Sequence, residues 1–252
     1  MDLILHRTEG GIARITLNRP EKRNALNAEV IGGLNDALAR SAKDPGVRVV
    51  LINAAGKDFC AGLDLRALDK GNDAGAVEHL ETARRLADVL MAIRRHPHPV
   101  VAAVQGRALG GGAGIASASD LILAAESASI GYPEVNIGFV PAMVAALLRR
   151  AVTEKRMFEL LVSGGAVAAP EAKAIGLINQ VFADAEFETR VLAYLQNLAA
   201  KSASALSLTK QLLYHTDGMT LEKAVEAGVQ MNALSRTTED AKRGFAGFGK
   251  KS

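Results

Sequence analysis

Two short runs of the chain carry almost no polar face: residues 47–52 read Val-Arg-Val-Val-Leu-Ile, and residues 100–104 read Val-Val-Ala-Ala-Val. A strand with one wet face alternates apolar and polar side chains. A continuous apolar run belongs to a sheet covered on both sides, as parallel sheets are when helices pack over them. The segments around the two runs supply such helices. Asn27 is placed to cap a helix to about residue 42, with Val30, Ile31, Leu34 and Leu38 at helical spacing. A second helix, 76–95, shows Leu80, Ala83, Leu86, Leu90 and Ile93 on one face and ends at His96-Pro97-His98-Pro99. Strands at 3–5 and 12–17 around Gly10-Gly11 read as a hairpin, and a helix from about Gly111 to Ser119 precedes a strand at 121–125. Two ββα-like passages about 55 residues apart predict a layered α/β core. From Ala185 the pattern is almost purely helical, so the expected division is 1–190 for the core and 191–252 for a helical C-terminal region.

At 252 residues the chain fits one compact core with a small appendage. It has no Trp and 4% aromatic residues, so the interior has to be built from aliphatics. A net charge of +3 suits an anionic ligand but is too weak for nucleic-acid binding. The single cysteine, Cys60, excludes an internal disulfide and a cysteine zinc cluster. The first residues lack a signal-peptide pattern, and the longest apolar run, 139–148, contains Pro141 and is too short for a bilayer. The expectation is a cytoplasmic protein with no membrane partner.

Three segments carry the chemistry. Gly56-Lys57-Asp58-Phe59-Cys60-Ala61-Gly62-Leu63-Asp64-Leu65 follows one buried strand, and Gln105-Gly106-Arg107-Ala108-Leu109-Gly110-Gly111-Gly112-Ala113-Gly114 follows the other. The third is Ser129-Ile130-Gly131-Tyr132-Pro133-Glu134. Small residues after buried strands let two backbone N–H groups approach one ligand oxygen, and a helix starting at Gly111 adds its orphan amides and dipole. Such a pair stabilises a developing oxyanion. Any one of these glycines, taken singly, serves equally well for tight turns and close packing. No dinucleotide fingerprint, P-loop or GxSxG elbow is present, and the five histidines share no metal spacing. His96 and His98, which flank prolines, read as a surface turn, and Cys60 reads as packing.

Eight short motifs, in order and spacing, resemble the crotonase superfamily, the enoyl-CoA hydratase/isomerase family. They are Asn18-Arg19-Pro20, Asn24-Ala25-Leu26-Asn27, Phe59-Cys60-Ala61-Gly62-Leu63-Asp64-Leu65, Ala108-Leu109-Gly110-Gly111-Gly112, Pro133-Glu134, Leu161-Val162-Ser163-Gly164, the run from Glu171 to Leu177, and Phe245-Ala246-Gly247-Phe248. The resemblance implies a ββα-spiral core with a C-terminal helical region that assembles trimers or hexamers. It implies an acyl-CoA thioester as substrate, with CoA part of the substrate and no separate cofactor. By position, the amides holding the thioester oxygen would be those of Ala61 and Gly111, and Glu134 would be the catalytic base or acid. Ala25, Cys60, Gly62, Leu63, Asp64, Gly110, Gly114, Tyr132, Pro133 and Val140 would line the substrate site, with Tyr132 as a wall. Phe248 and Lys251 fall where the family places a neighbouring subunit's contacts to the nucleotide.

One departure bears on the reaction. Hydratases of the family carry a second glutamate two positions after the glycine triplet, and here that position is Gly114. The dienoyl-CoA isomerase branch adds an aspartate where this chain has Ala142. A single carboxylate suffices for a 1,3-proton shift, whereas hydration must also orient water. The family's commonest activity pulls the other way, so Δ3–Δ2 isomerisation and 2-enoyl-CoA hydration both stand at this point. The competing class is a non-catalytic acyl-CoA-binding or RNA-binding homologue, and the lack of a basic stripe disfavours RNA.

Overall fold

The computed structural model describes residues 2–65 and 75–248. Its main sheet has six strands in the order β1-β2-β3-β4-β6-β9. They are β1 (Ile4–Glu9), β2 (Ile12–Leu17), β3 (Val49–Ala54), β4 (Val100–Val104), β6 (Leu121–Ala125) and β9 (Gln180–Phe182). Only the β1–β2 hairpin is antiparallel; β2 to β9 pair in parallel. A second sheet joins β5 (Arg107–Leu109), β7 (Ser129–Gly131) and β8 (Ala166–Ala168). Between successive parallel strands run the helices α1 (Ala28–Lys43), α2 (Ala76–Arg95) and α3 (Gly111–Ala118).

The two apolar runs are the centre of this sheet. β4 is buried at every position, and β3 at every position but Asn53. Asn53 points its amide oxygen at the Thr16 hydroxyl across the β2–β3 pair (2.7 Å), so the one polar side chain of β3 is satisfied. Asn27 caps α1 by accepting from the Val30 N–H at 2.9 Å. Strand β3 starts two residues later than the apolar run does, because the amides of Arg48 and Val49 both go to the carbonyl of Gly11 at the hairpin turn. The three-residue strands β5, β7 and β8 fall in stretches too short for periodicity to register.

Beyond the sheet lie α4 (Ala142–Leu148), α5 (Glu154–Ser163), α6 (Ala169–Ala174) and α7 (Phe187–Ala199), which packs on β2, β3 and β6. The last three helices, α8 (Ala203–His215), α9 (Leu221–Arg236) and α10 (Glu239–Phe248), pack mainly on one another. They leave Leu213, Leu221, Val225, Val229, Leu234 and Phe245 exposed. Among the described residues, no helix is long and apolar enough to cross a membrane.

His96 corrects the sequence reading. It opens the His96-Pro97-His98-Pro99 turn, yet is 4% exposed. Its Nε2 is 3.1 Å from the Ser41 hydroxyl of α1, and its Nδ1 accepts the His98 N–H at 3.1 Å. Loss of solvation outweighs these bonds and holds its pKa down at about 4. An unfolded chain binds that proton below about 6.5, whereas the native state refuses it until about 4. The stabilisation is therefore complete above pH 6.5 and lost as pH falls toward 4. Urea denaturation at pH 7 and pH 5 is expected to show a loss of about 2 kcal/mol from this group alone. A His96→Asn variant should be less stable at pH 7 and show a flatter pH dependence; an unchanged slope would refute the assignment.

Candidate active site

Loop 58–64 runs between two neighbours, and its backbone hydrogen bonds can be counted residue by residue. Phe59 N–H donates to Gln105 O (2.9 Å), Cys60 N–H to Arg107 O (3.0 Å), Ala61 N–H to Arg23 O (2.9 Å) and Asp64 N–H to Leu26 O (2.9 Å). Gly62 N–H faces the Cys60 sulfur at 3.4 Å. Asp58 N–H, at the start of the loop, and Leu63 N–H have no acceptor among the described residues, and of the two Leu63 is the one beside the glycine triplet. For Leu63 the reason is register. Leu63 forms a parallel bridge with Leu26, whose N–H and C=O bond to Gly62 O and Asp64 N, so Leu63's own amide faces away from Leu26.

The glycine triplet supplies a second unpaired amide. Gly110 N–H donates to Gly131 O, and α3 begins at Gly111, whose N–H is one of the helix's orphan donors. The two loops touch. A Cβ on Gly62 would lie 2.9 Å from Leu109 O and 3.6 Å from Gly111 N, and one on Gly111 would lie 3.9 Å from Leu63 Cγ. Gly62 and Gly110 also sit at φ +92° and +51°, which side-chain-bearing residues rarely adopt. The sequence reading placed the free amide of the first loop at Ala61. Ala61 N–H is spent on Arg23, and the open donor lies two residues on, at Leu63.

Glu134 comes from the 3-10 turn Pro133–Ile137, at the end of β7. Its Oε1 is 3.2 Å from where a Cβ on Gly110 would sit, so the carboxylate lies over the start of α3. Its Oε2 is buried and has no hydrogen-bond partner among the described residues. Desolvation raises its pKa above the ordinary carboxylate range, opposed only by its own backbone N–H. Val140 follows on the same segment and is exposed, as are Ile137 and Phe139.

Other expected residues take supporting places. Arg19 bonds Asp64 at 2.7 Å and the Ala25 carbonyl at 3.1 Å, tying the ends of the two loops together. Arg107 grips Asp58 through two side-chain hydrogen bonds of 2.8 Å. Two expectations are corrected. Tyr132 is fully buried with its hydroxyl 3.0 Å from Ser117 Oγ, so it stands behind the site surface. Cys60 is buried with its sulfur 3.1 Å from Asn24 O, and burial pushes its thiol up to about 12. Phe248 ends α10, and Lys251 lies outside the described residues. Among the described residues, no group of His, Cys, Asp and Glu is arranged to hold a metal ion.

Residues 7–252 match the enoyl-CoA hydratase/isomerase family. The chain belongs to that family. It is 40% identical over 240 residues to a putative enoyl-CoA hydratase of Thermus thermophilus, covering 95% of each chain. An enoyl-CoA hydratase structure from Mycobacterium smegmatis superposes with a TM-score of 0.94 at 32% identity, over 99% of this chain and 96% of that one. A putative enoyl-CoA hydratase from Streptomyces coelicolor gives 0.93 at 33% identity, over 99% and 92%. The fold is thus the crotonase fold with its helical C-terminal region.

Within this family fold, the surroundings of Gly114 are closed and apolar. Gly114 lies one helical turn beyond Gly110, the residue under Glu134. A Cβ there would meet Val144 Cγ2 at 3.2 Å and the two Leu90 methyls at 3.7 and 3.9 Å. Val144 and Leu90 are 5% and 4% exposed. A carboxylate introduced at 114 has to displace this wall, and overpacking of that kind costs about 1–3 kcal/mol. Gly114→Glu is expected to lower the thermal midpoint, and adding Val144→Ala should recover most of the loss. A single variant as stable as wild type would show that position 114 is open.

Proposed function

We propose that this chain is an enzyme acting at the α-carbon of an enoyl-CoA thioester, with Δ3–Δ2 isomerisation as its reaction. The observation that carries the reading is the desolvated Glu134 carboxylate, whose Oε2 has no partner among the described residues, set over the start of α3 beside the unpaired Gly111 amide. With the thioester oxygen on the N–H groups of Leu63 and Gly111, Glu134 removes a proton from C2 of a 3-enoyl-CoA. The electron pair moves into a dienolate whose oxyanion rests on the two amides, each such donor being worth about 10²–10³ in rate. Glu134 then returns the proton at C4, leaving the 2-enoyl-CoA. A raised pKa suits both halves, since the carboxylate is a stronger base and its acid stays protonated at higher pH. Exposed Lys22, Arg23 and Lys57 flank the first loop and are assigned to the anionic end of CoA.

The relatives' names favour a second reading, hydration of a 2-enoyl-CoA. Against it stands the apolar wall of Val144 and Leu90 at Gly114, which offers a water molecule no polar partner. Turnover of matched 3-enoyl- and 2-enoyl-CoA substrates separates the two: isomerisation should exceed hydration, and the reverse would establish the hydratase. Glu134→Gln keeps size but removes the proton acceptor, so activity should fall by roughly 10²–10⁴ with acyl-CoA affinity little changed. The acid limb of the wild-type kcat/KM profile should lie above the ordinary glutamate range. Near-normal turnover in the glutamine variant would dispose of the assignment.

The exposed apolar side chains of α8–α10 are assigned to contacts between copies of this chain in a trimer or hexamer. Light scattering at micromolar concentration should give at least a trimeric mass; a monomer there would count against the assembly.

A further inference from the structure

Lys210 is a buried charge that the proposed chemistry does not use. It is the only buried residue of α8, and α9 has none. Its ammonium has three N–H donors and meets three acceptors: Asp120 Oδ2 at 2.7 Å, Ile93 O at 2.9 Å and His98 O at 3.2 Å. Asp120 is equally committed. Oδ2 also accepts the Val100 N–H at 2.6 Å, and Oδ1 accepts the Tyr214 hydroxyl. Arg94 closes the cluster by donating to the Tyr214 oxygen at 2.9 Å, with its guanidinium 3.6 Å above the ring centre.

The four side chains come from two places. Lys210 and Tyr214 belong to α8, in the C-terminal layer. Ile93 and Arg94 end α2, and Asp120 follows the last turn of α3. These two core helices also build the site. Leu86 and Leu90 of α2 lie against Gly111 and Gly114, and α3 begins with the Gly111 amide. The ammonium therefore sits on the carbonyl end of α2, where positive charge is favoured, and on the carboxylate that closes α3. Both helices are held at their C-terminal ends by a group from another layer.

We propose that Lys210 is a positioning residue: it fixes the C-terminal helical layer to the ends of α2 and α3 and thereby sets where the Gly111 amide stands. Because α8 buries no other side chain within one chain, its attachment to the ends of α2 and α3 rests on this polar cluster, whatever its apolar face meets on a second copy. Removing the ammonium leaves the half-buried Asp120 one partner short, with only Val100 N–H and the Tyr214 hydroxyl, which loosens both sides at once.

The test compares full-length wild type, Lys210→Met, Lys210→Arg and the Lys210→Met/Asp120→Asn double variant. Native-state hydrogen exchange is read at 203–215, 111–118 and the hairpin strands 4–17. Binding of cinnamoyl-CoA is read by the red shift that polarisation of its thioester carbonyl produces. In Lys210→Met, exchange should rise about tenfold or more in both 203–215 and 111–118, with 4–17 unchanged, and the red shift should shrink. Lys210→Arg should restore a large part of both. If 203–215 opens while 111–118 and the red shift stay at wild-type values, the positioning role is overturned. The optical reading rests on the Leu63–Gly111 assignment above. A wild-type complex with no red shift would sink that assignment, while the exchange data would still decide the role of Lys210. Should Lys210→Met fail to fold, the double variant replaces it, and wild-type protection of 111–118 there would overturn the proposal.

Discussion

The site rests on the way loop 58–64 is sewn to its neighbours by main-chain hydrogen bonds. Buried amides need acceptors, and this loop finds them first on β5 and its approach and then on the 19–26 segment. The stitching fixes the separation of two loops that are 50 residues apart in the chain, and it leaves Leu63 N–H uncommitted. An open amide of this kind is a by-product of register: the same parallel bridge that holds Leu63 to Leu26 turns its amide away from Leu26. Arg107 on Asp58 and Arg19 on Asp64 clamp the two ends of the loop, which keeps that register from slipping.

Much of this was legible in the sequence because burial dictates composition. The unbroken apolar runs of β3 and β4 could belong only to a covered parallel sheet, and Asn27 announced the start of α1 by the chemistry of its side chain. The choice between Ala61 and Leu63 was not legible. Both lie beside Gly62, and only the pairing partners, Arg23 and Leu26 from a distant segment, decide which amide is used up. His96 misled for a related reason. Flanking prolines describe the local chain path, whereas the imidazole's burial depends on Ser41 of α1, which no local pattern reveals. Tyr132 adjoins Pro133-Glu134 in sequence, yet it is fully buried with its hydroxyl paired to Ser117 of α3.

Glu134 and Gly114 stand at the same helix start in unlike surroundings. The carboxylate's environment is set by what is missing around it: Oε2 is buried at the start of α3 and meets no hydrogen-bond donor among the described residues. The neighbouring turn is closed by methyl groups from α2 and α4, so any polar function added there meets packing before it meets substrate. Reaction type in such a site depends as much on these aliphatic neighbours as on the titratable group itself.

Cys60 gives the loop a use beyond chemistry. It is the chain's one thiol, enclosed against Asn24 O and pressed by Gly112, whose Cα hydrogen faces the cysteine where a Cβ would come within 2.5 Å. A thiol so enclosed and so weakly acidic is silent toward alkylating reagents while the loop stays sewn. It can react only when the stitches between 19–26, 58–64 and β5 part. The unmodified protein thus carries its own clock for the opening of loop 58–64, readable as the rate at which a single equivalent of reagent is consumed.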